Sequence, residues 1–129
     1  MKKLFFLPLF LLFFCGSAFA QDNAGGSFVG KWSGEFTGPD GKPVPYTMTI
    51  TDAGYEFDFG NDGRLDVQGA YVVKDGQVTV WDTMGENICP TEQKGVYTYV
   101  FDGNDMVTFT KVSDECPGRG AEPLRLKRM

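Results

Sequence analysis

The residues best equipped for chemistry are two cysteines, a group of tyrosines and one carboxylate on an apolar strand. Cys89 and Cys116 are the two cysteines that follow the N-terminal apolar stretch. No Cys-x-x-Cys accompanies them and the chain contains no histidine, so nothing tunes a thiolate, and the pair reads as a disulfide formed in an oxidising compartment. The missing histidine also excludes Ser-His-Asp and Cys-His nucleophilic sites, His-ligated zinc or copper, and the usual proximal haem ligand. Acid–base work would fall to carboxylates, tyrosines or lysines. Asp82 continues the inward alternation of Val78 and Val80, which makes it the candidate buried acid with a raised pKa. Beside a tyrosine it could serve an isomerase or cyclase. The competing reading, favoured at this point, is that the strand has frayed into its loop by Asp82.

A metal reading attaches to Asp58-Phe59-Gly60-Asn61-Asp62-Gly63, which half matches a calcium loop. Its twelfth position would be Gly69 rather than a bidentate glutamate. A hairpin turn explains the same residues, so neither a metal nor a cofactor is expected.

The elements that must position these groups follow from period-2 alternation. Phe28, Gly30, Trp32, Gly34 and Phe36 share one face, and Val44, Tyr46, Met48 and Ile50 share the next. Tyr55, Phe57 and Phe59 follow, then Leu65, Val67, Gly69, Tyr71 and Val73, then Val78 and Val80. Segments 95–101, 105–112 and 122–129 complete eight short strands separated by Gly-, Asp- and Asn-rich turns. This rhythm, with no helical period, predicts an all-β meander, and closing it as an up-and-down barrel would remove the exposed edges. The domain is expected over residues 28–129. Folding 95–101 against 105–112 about Asp102-Gly103-Asn104 brings Cys89 and Cys116 to the open end of that hairpin, where they pin the loops 85–94 and 113–121 at one rim.

The N-terminus reads as a processing signal over residues 1–20. Lys2 and Lys3 precede an apolar run, and Ala18-Phe19-Ala20 is a small-x-small cleavage pattern. Residues 21–27 form a polar, glycine-rich leader. Leu12-Phe13-Phe14-Cys15-Gly16 loosely resembles a lipoprotein processing site, but Phe14 is large where a small residue is wanted. Membrane attachment is therefore expected only if Cys15 is acylated, and the mature protein is expected in the periplasm or outside the cell. Cleavage after Ala20 leaves ten basic residues against seventeen acidic ones, a formal charge of −7. That balance argues against a nucleic-acid partner and against electrostatic docking on anionic membranes. The one basic cluster, Arg119 followed by Arg125-Leu126-Lys127-Arg128, reads as a solvated last strand.

Gly30-Lys31-Trp32, opening a meander of eight strands in an exported chain, resembles the lipocalins and the wider calycin group. The stretch around Cys89-Pro90, Gly95-Val96-Tyr97-Thr98-Tyr99 and Cys116-Pro117-Gly118-Arg119 is similar to small bacterial lipocalin-like proteins. The resemblance implies a barrel plugged at one end by Trp32, with a C-terminal arginine packed across it. Alternation with Leu124 and Leu126 favours Arg128 over Arg125 for that part. The chain departs from the family in being shorter and in lacking a helix after the last strand.

For a barrel, alternation points Trp32, Phe36, Tyr46, Met48, Tyr55, Phe57, Phe59, Val67, Tyr71 and Val80 inward. Whether they fill a core or line a cavity is open. Three buried tyrosines that need hydrogen-bond partners, and glycines 30, 34 and 69 that leave space, favour the cavity. The expected ligand is a small apolar or aromatic molecule with a polar end, held by Tyr46, Met48, Tyr55, Phe57, Tyr71 and Asp82. Ligand binding is preferred to catalysis. The runner-up is a protein-interaction or inhibitor module, to which Trp81 and an outward stripe of Tyr97, Tyr99 and Phe101 would contribute. A barrel isomerase or cyclase using a buried carboxylate comes third.

Overall fold

The computed structural model describes residues 27–129. The expected signal peptide, Cys15 and residues 21–26 of the leader lie outside the described residues.

Eight antiparallel strands follow one another: β1 (Gly30–Thr37), β2 (Pro43–Thr51), β3 (Gly54–Phe59), β4 (Val67–Lys74), β5 (Gln77–Gly85), β6 (Gly95–Asp102), β7 (Met106–Asp114) and β8 (Leu124–Arg128). Each pairs with its neighbour in sequence, and β8 returns to β1, so the sheet is a closed up-and-down barrel of calycin-like form. There is no helix among the described residues. The turns are chemically specified. Asp75 (φ 53°) and Gly76 (φ 74°) both sit in the left-handed region between the paired Lys74 and Gln77. Positive φ at both central residues is the type I′ requirement, and the twist of that turn matches the twist of the strands it joins.

The inward face follows the alternation. Trp32, Tyr46, Met48, Ile50, Tyr55, Val78, Tyr97, Val107, Phe109 and Leu126 form the buried cluster, with Phe36, Phe57, Phe59, Val67, Tyr71, Val80, Tyr99 and Phe101 packed against it. Tyr97, Tyr99 and Phe101 therefore point inward, and the outward aromatic stripe is absent. Tyr99 stands opposite Phe109 and Phe101 opposite Val107, both on the inner face of β7. Trp81 does face outward, with the Lys94 ammonium 4.9 Å from its ring centre.

Strand β5 does not fray at Asp82. Pairing with β4 continues past a bulge at Gln68/Gly69, through Gly69–Asp82 and Gln68–Met84 to Val67–Gly85. The bulge places its extra residue, Thr83, just past Asp82, which keeps the inward register of Val78 and Val80 and is buried.

The expected space beside the inward glycines is also corrected. A Cβ on Gly34 would strike the Tyr46 ring, one on Gly69 the Tyr55 ring, and one on Gly30 the Arg128 guanidinium. Gly34–Tyr46 and Gly69–Tyr55 are directly opposed pairs across neighbouring strands. Each glycine is the seat of a large side chain, so its room is filled rather than left as void.

The end of the barrel where β1 begins is a floor. Trp32 is fully buried, and its Nε1 donates to the Phe28 carbonyl at 2.8 Å. The Arg128 guanidinium lies 4.1 Å from the Trp32 ring centre. Its three nitrogens donate to the carbonyls of Asn104 (2.9 Å), Val29 (3.1 Å) and Ser27 (2.9 Å). Arg128 therefore ties the N-terminal segment to the β6–β7 turn across the tryptophan. Arg125 and Lys127 are exposed on the outer face of β8, so the solvated reading of the basic cluster holds for those two and fails for Arg128. Replacing Arg128 by Met removes the ring contact and three exposed hydrogen bonds to carbonyls, and should cost about 1–3 kcal/mol. Arg125→Met should stay within about 0.5 kcal/mol of the unmodified protein. Urea unfolding of both variants measures the difference; equal effects would remove Arg128 from the floor.

Candidate functional site

Above the floor the barrel is hollow. A cavity of about 510 Å³ occupies the interior and reaches the opposite rim, where residues 118–122 line it. Phe28, packed against Tyr99 at 4.6 Å and Phe101 at 5.3 Å between ring centres, forms its base. One wall is a ladder on β3: Phe57 lies 5.7 Å from Tyr55 edge to face, and stacks on Phe59 at 5.2 Å. Tyr46 adds an edge-to-face contact to Phe57 at 5.5 Å. Successive inward positions on a strand share one face, which is why an i, i+2 run of aromatics yields a continuous apolar wall.

The structure brings Tyr46, Met48, Tyr55, Phe57, Tyr71 and Asp82 to this one cavity. Their hydroxyls are treated differently. Tyr71 donates to the Thr51 carbonyl at 2.8 Å, and Tyr55 to Asp82 Oδ1 at 2.9 Å. The Tyr46 hydroxyl is buried without a partner. Burial, and after it the Glu122 carboxylate, pushes the Tyr46 hydroxyl well above its ordinary range. Burial also raises Tyr55, reinforced by the charge of Asp82. Both phenols therefore stay protonated at neutral pH and act as donors.

The rim carries a polar network that alternation alone does not disclose. Arg119, expected as part of a solvated strand, turns into the barrel mouth. Its Nε and Nη2 grip Asp114 at 2.8 and 2.9 Å, the two-pronged geometry suited to a carboxylate. Nη2 also donates to the Gln93 carbonyl at 2.8 Å, while Nη1 faces Asp82 Oδ2 at 3.5 Å with no hydrogen bond of its own. Tyr97 donates to Asp114 from the other side. Burial works against ionisation of Asp114, but the bonds from Arg119, Tyr97 and the Cys116 N–H outweigh it and hold the carboxyl below its usual value. For Arg119 burial likewise opposes the charge, and the Asp114 bonds overcome it.

The disulfide joins Cys89 and Cys116 with their Cα atoms 5.9 Å apart, at the rim and across the open end of β6 and β7. Each half-cystine also serves the network through its backbone. The Cys89 N–H points to Asp82 Oδ2 at 3.4 Å, and the Cys116 N–H donates to Asp114 Oδ1 at 2.8 Å. The covalent link thus sets the spacing of the two carboxylates that flank Arg119.

The sequence signal for Arg119 is its frame, Gly118-Arg119-Gly120, three residues past Cys116. Both glycines have left-handed φ (88° and 69°), and a Cβ on Gly120 would meet the Tyr97 hydroxyl. A long cation set between such glycines in a tethered loop is a placed residue. Phe28, Ile50, Phe109 and Leu124 also line the cavity, beyond the residues expected as ligand contacts.

The acidic turn is arranged by its own backbone. Carboxylate oxygens of Asp58, Asp62 and Asp66 lie within 4.8 Å of one another. Asp58 accepts from the Asp62 and Gly63 N–H groups, Asp62 from Arg64, and Asp66 from Phe59. A self-capped hairpin accounts for all three.

Eight antiparallel strands closed around an apolar chamber, with one buried polar cluster at the mouth, define the class of a barrel able to enclose a small molecule. No protein-family model, curated protein or solved structure gives a significant match to this chain.

Two outcomes follow. Reducing the disulfide opens a loop of 27 residues and should cost roughly 3–4 kcal/mol in the chain-entropy picture; urea unfolding with and without dithiothreitol reads it. Because the folded-state pKa of Asp114 is depressed, its contribution is complete above the ordinary carboxylate value near about 4 and is lost as pH falls through the lower folded value. Unfolding midpoints taken from pH 7 down to about 2.5 should therefore fall less steeply for Asp114→Asn than for the unmodified protein.

Proposed function

We propose that the chain is an exported, lipocalin-like protein that holds one small apolar or aromatic molecule with a polar end inside its barrel. The observation that carries this reading is the interior cavity of about 510 Å³, walled by aromatic side chains and bordered by a single polar cluster. That combination of volume, apolar wall and few polar groups is how small-molecule sites are built. The binding residues are Tyr46, Met48, Tyr55, Phe57, Tyr71 and Asp82, with Arg119 added from the rim. The Trp32–Arg128 floor supports membership of the lipocalin-like group. A periplasmic or secreted setting is supported by the N-terminal cleavage pattern and by the disulfide.

A second reading, an isomerase or cyclase, is favoured by one feature: Asp82 is buried, bonded to Tyr55 and borders the cavity. Against it, the same carboxylate is already engaged, by the Tyr55 hydroxyl at 2.9 Å and by the Arg119 guanidinium at 3.5 Å. Of the aromatics named for the interaction-module reading, Tyr97, Tyr99 and Phe101 turn inward and Trp81 alone remains on the outer face.

The test is titration with N-phenyl-1-naphthylamine, a neutral aromatic probe whose fluorescence rises in apolar surroundings. Saturable binding with one probe per chain is expected. Val80→Phe, which places a ring in the cavity, should weaken it at least about tenfold while the far-ultraviolet spectrum stays that of the β-barrel. Absence of saturable binding, or equal binding by the filled variant, would reject an interior site.

A further inference from the structure

The polar end of the ligand can be specified further, on the footing that the cavity is a binding site. Two donors belonging to residues on its lining are buried without a hydrogen bond: the Tyr46 hydroxyl, and Arg119 Nη1, whose ion-pair neighbour Asp82 Oδ2 stands off at 3.5 Å. Tyr46 is 1% exposed and packs over Gly34, so its hydroxyl is out of reach of bulk water. A buried donor left unpaired costs more than an ordinary hydrogen bond returns, so an acceptor on a chamber ligand that reaches either one would be favoured.

The charges at the mouth limit what that can be. Arg119 is one guanidinium, already gripped in two-pronged fashion by Asp114 and facing Asp82. Glu122 adds a third carboxylate to this side of the cavity, its Oε1 accepting from the Thr37 N–H at 2.9 Å. One cation is set against three acids, so a carboxylate or phosphate brought inside would meet a negative field while losing its hydration. An ammonium head would be drawn by that field, but it has no lone pair to offer Tyr46 or Nη1, and both donors would stay orphaned.

We infer that the ligand's polar end is an uncharged acceptor, a carbonyl or hydroxyl oxygen, which receives a hydrogen bond from Tyr46 or Arg119 while the apolar body lies along the β3 aromatic ladder. Fatty acids and other amphiphilic anions are thereby disfavoured, and neutral ketones, aldehydes or alcohols of similar length are selected.

The experiment displaces bound N-phenyl-1-naphthylamine with four probes of matched chain length at pH 8: 2-undecanone, undecanoate, undecylamine and undecane. 2-Undecanone should compete at least about tenfold better than undecanoate and than undecylamine, because charged groups are costly to bury without full pairing. Tyr46→Phe removes a single oxygen, and should shrink the advantage of 2-undecanone over undecane by about five- to tenfold. Reading a ratio within each variant removes any general change in folding or apolar affinity. If undecanoate or undecylamine competes best, or if Tyr46→Phe and Arg119→Met both leave the ketone-to-alkane ratio unchanged, the neutral acceptor is refuted while the cavity reading stands. Failure of the naphthylamine itself to bind would instead refute the cavity reading.

Discussion

The barrel exists because β8 finds β1, and that closure rests on the pairing of Trp32 with Arg128 and Ser33 with Lys127. It is the briefest pairing in the sheet, and the one of longest sequence separation. Such a seam returns little hydrogen-bond energy for the loop entropy it costs. The side chains at the seam make up the difference. Trp32 fills the axis from one strand, while Arg128 lies over it from the other and reaches three backbone carbonyls of two further segments. One residue pair therefore closes the sheet, plugs its end and pins the N-terminal segment beneath it. A sheet closed in this way has no free edge, and its interior needs no packed layer to hold the strands together.

The rim solves a different problem. The loops joining β5 to β6 and β7 to β8 are the long ones, and long loops gain little order from strand pairing. Order comes instead from a charged row, Asp82, Arg119 and Asp114, capped at each end by a tyrosine hydroxyl. A buried ion pair seldom adds net stability, because desolvation offsets most of the attraction. Its value here is geometric: two carboxylates and one guanidinium admit few arrangements, and the half-cystine N–H groups select among them. The covalent bond and the ionic row are thus one device.

Much of this was legible in the residue order, and the reason is the strictness of period 2. A one-residue slip would turn every inward side chain to solvent, so Phe28, Trp32, Tyr46 and Phe57 declare their face. The turn at Asp75-Gly76 and the two cysteines about Gly103 are similarly explicit. What alternation does not carry is what happens between faces. It does not say that Tyr46 and Tyr55 lie over the opposed glycines 34 and 69, because that depends on register between strands. The course of β5 beyond Asp82 depends on a bulge at Thr83, where two of its residues oppose one of β4. Arg119 sits in a loop, where no period exists to mark it, and only its flanking glycines hint that it is placed.

The cross-strand seating of tyrosines on glycines also explains why the interior stays open. A ring that lies flat over the neighbouring strand covers wall rather than filling lumen, so large residues can enclose space instead of consuming it. Covering the wall with phenols has a consequence, since each hydroxyl must find a partner along the wall. Tyr55, Tyr71 and Tyr97 do so, whereas Tyr46 and Tyr99 do not. Native proteins keep few such orphans, and each costs about 1–3 kcal/mol. A barrel secured by a plugged floor and a cross-linked rim can carry that cost, and Tyr46 carries it among the rings of Phe36, Phe57 and Phe59. Phenylalanine would cover Gly34 equally well without it, which is why the proposed ligand contact is placed on this hydroxyl.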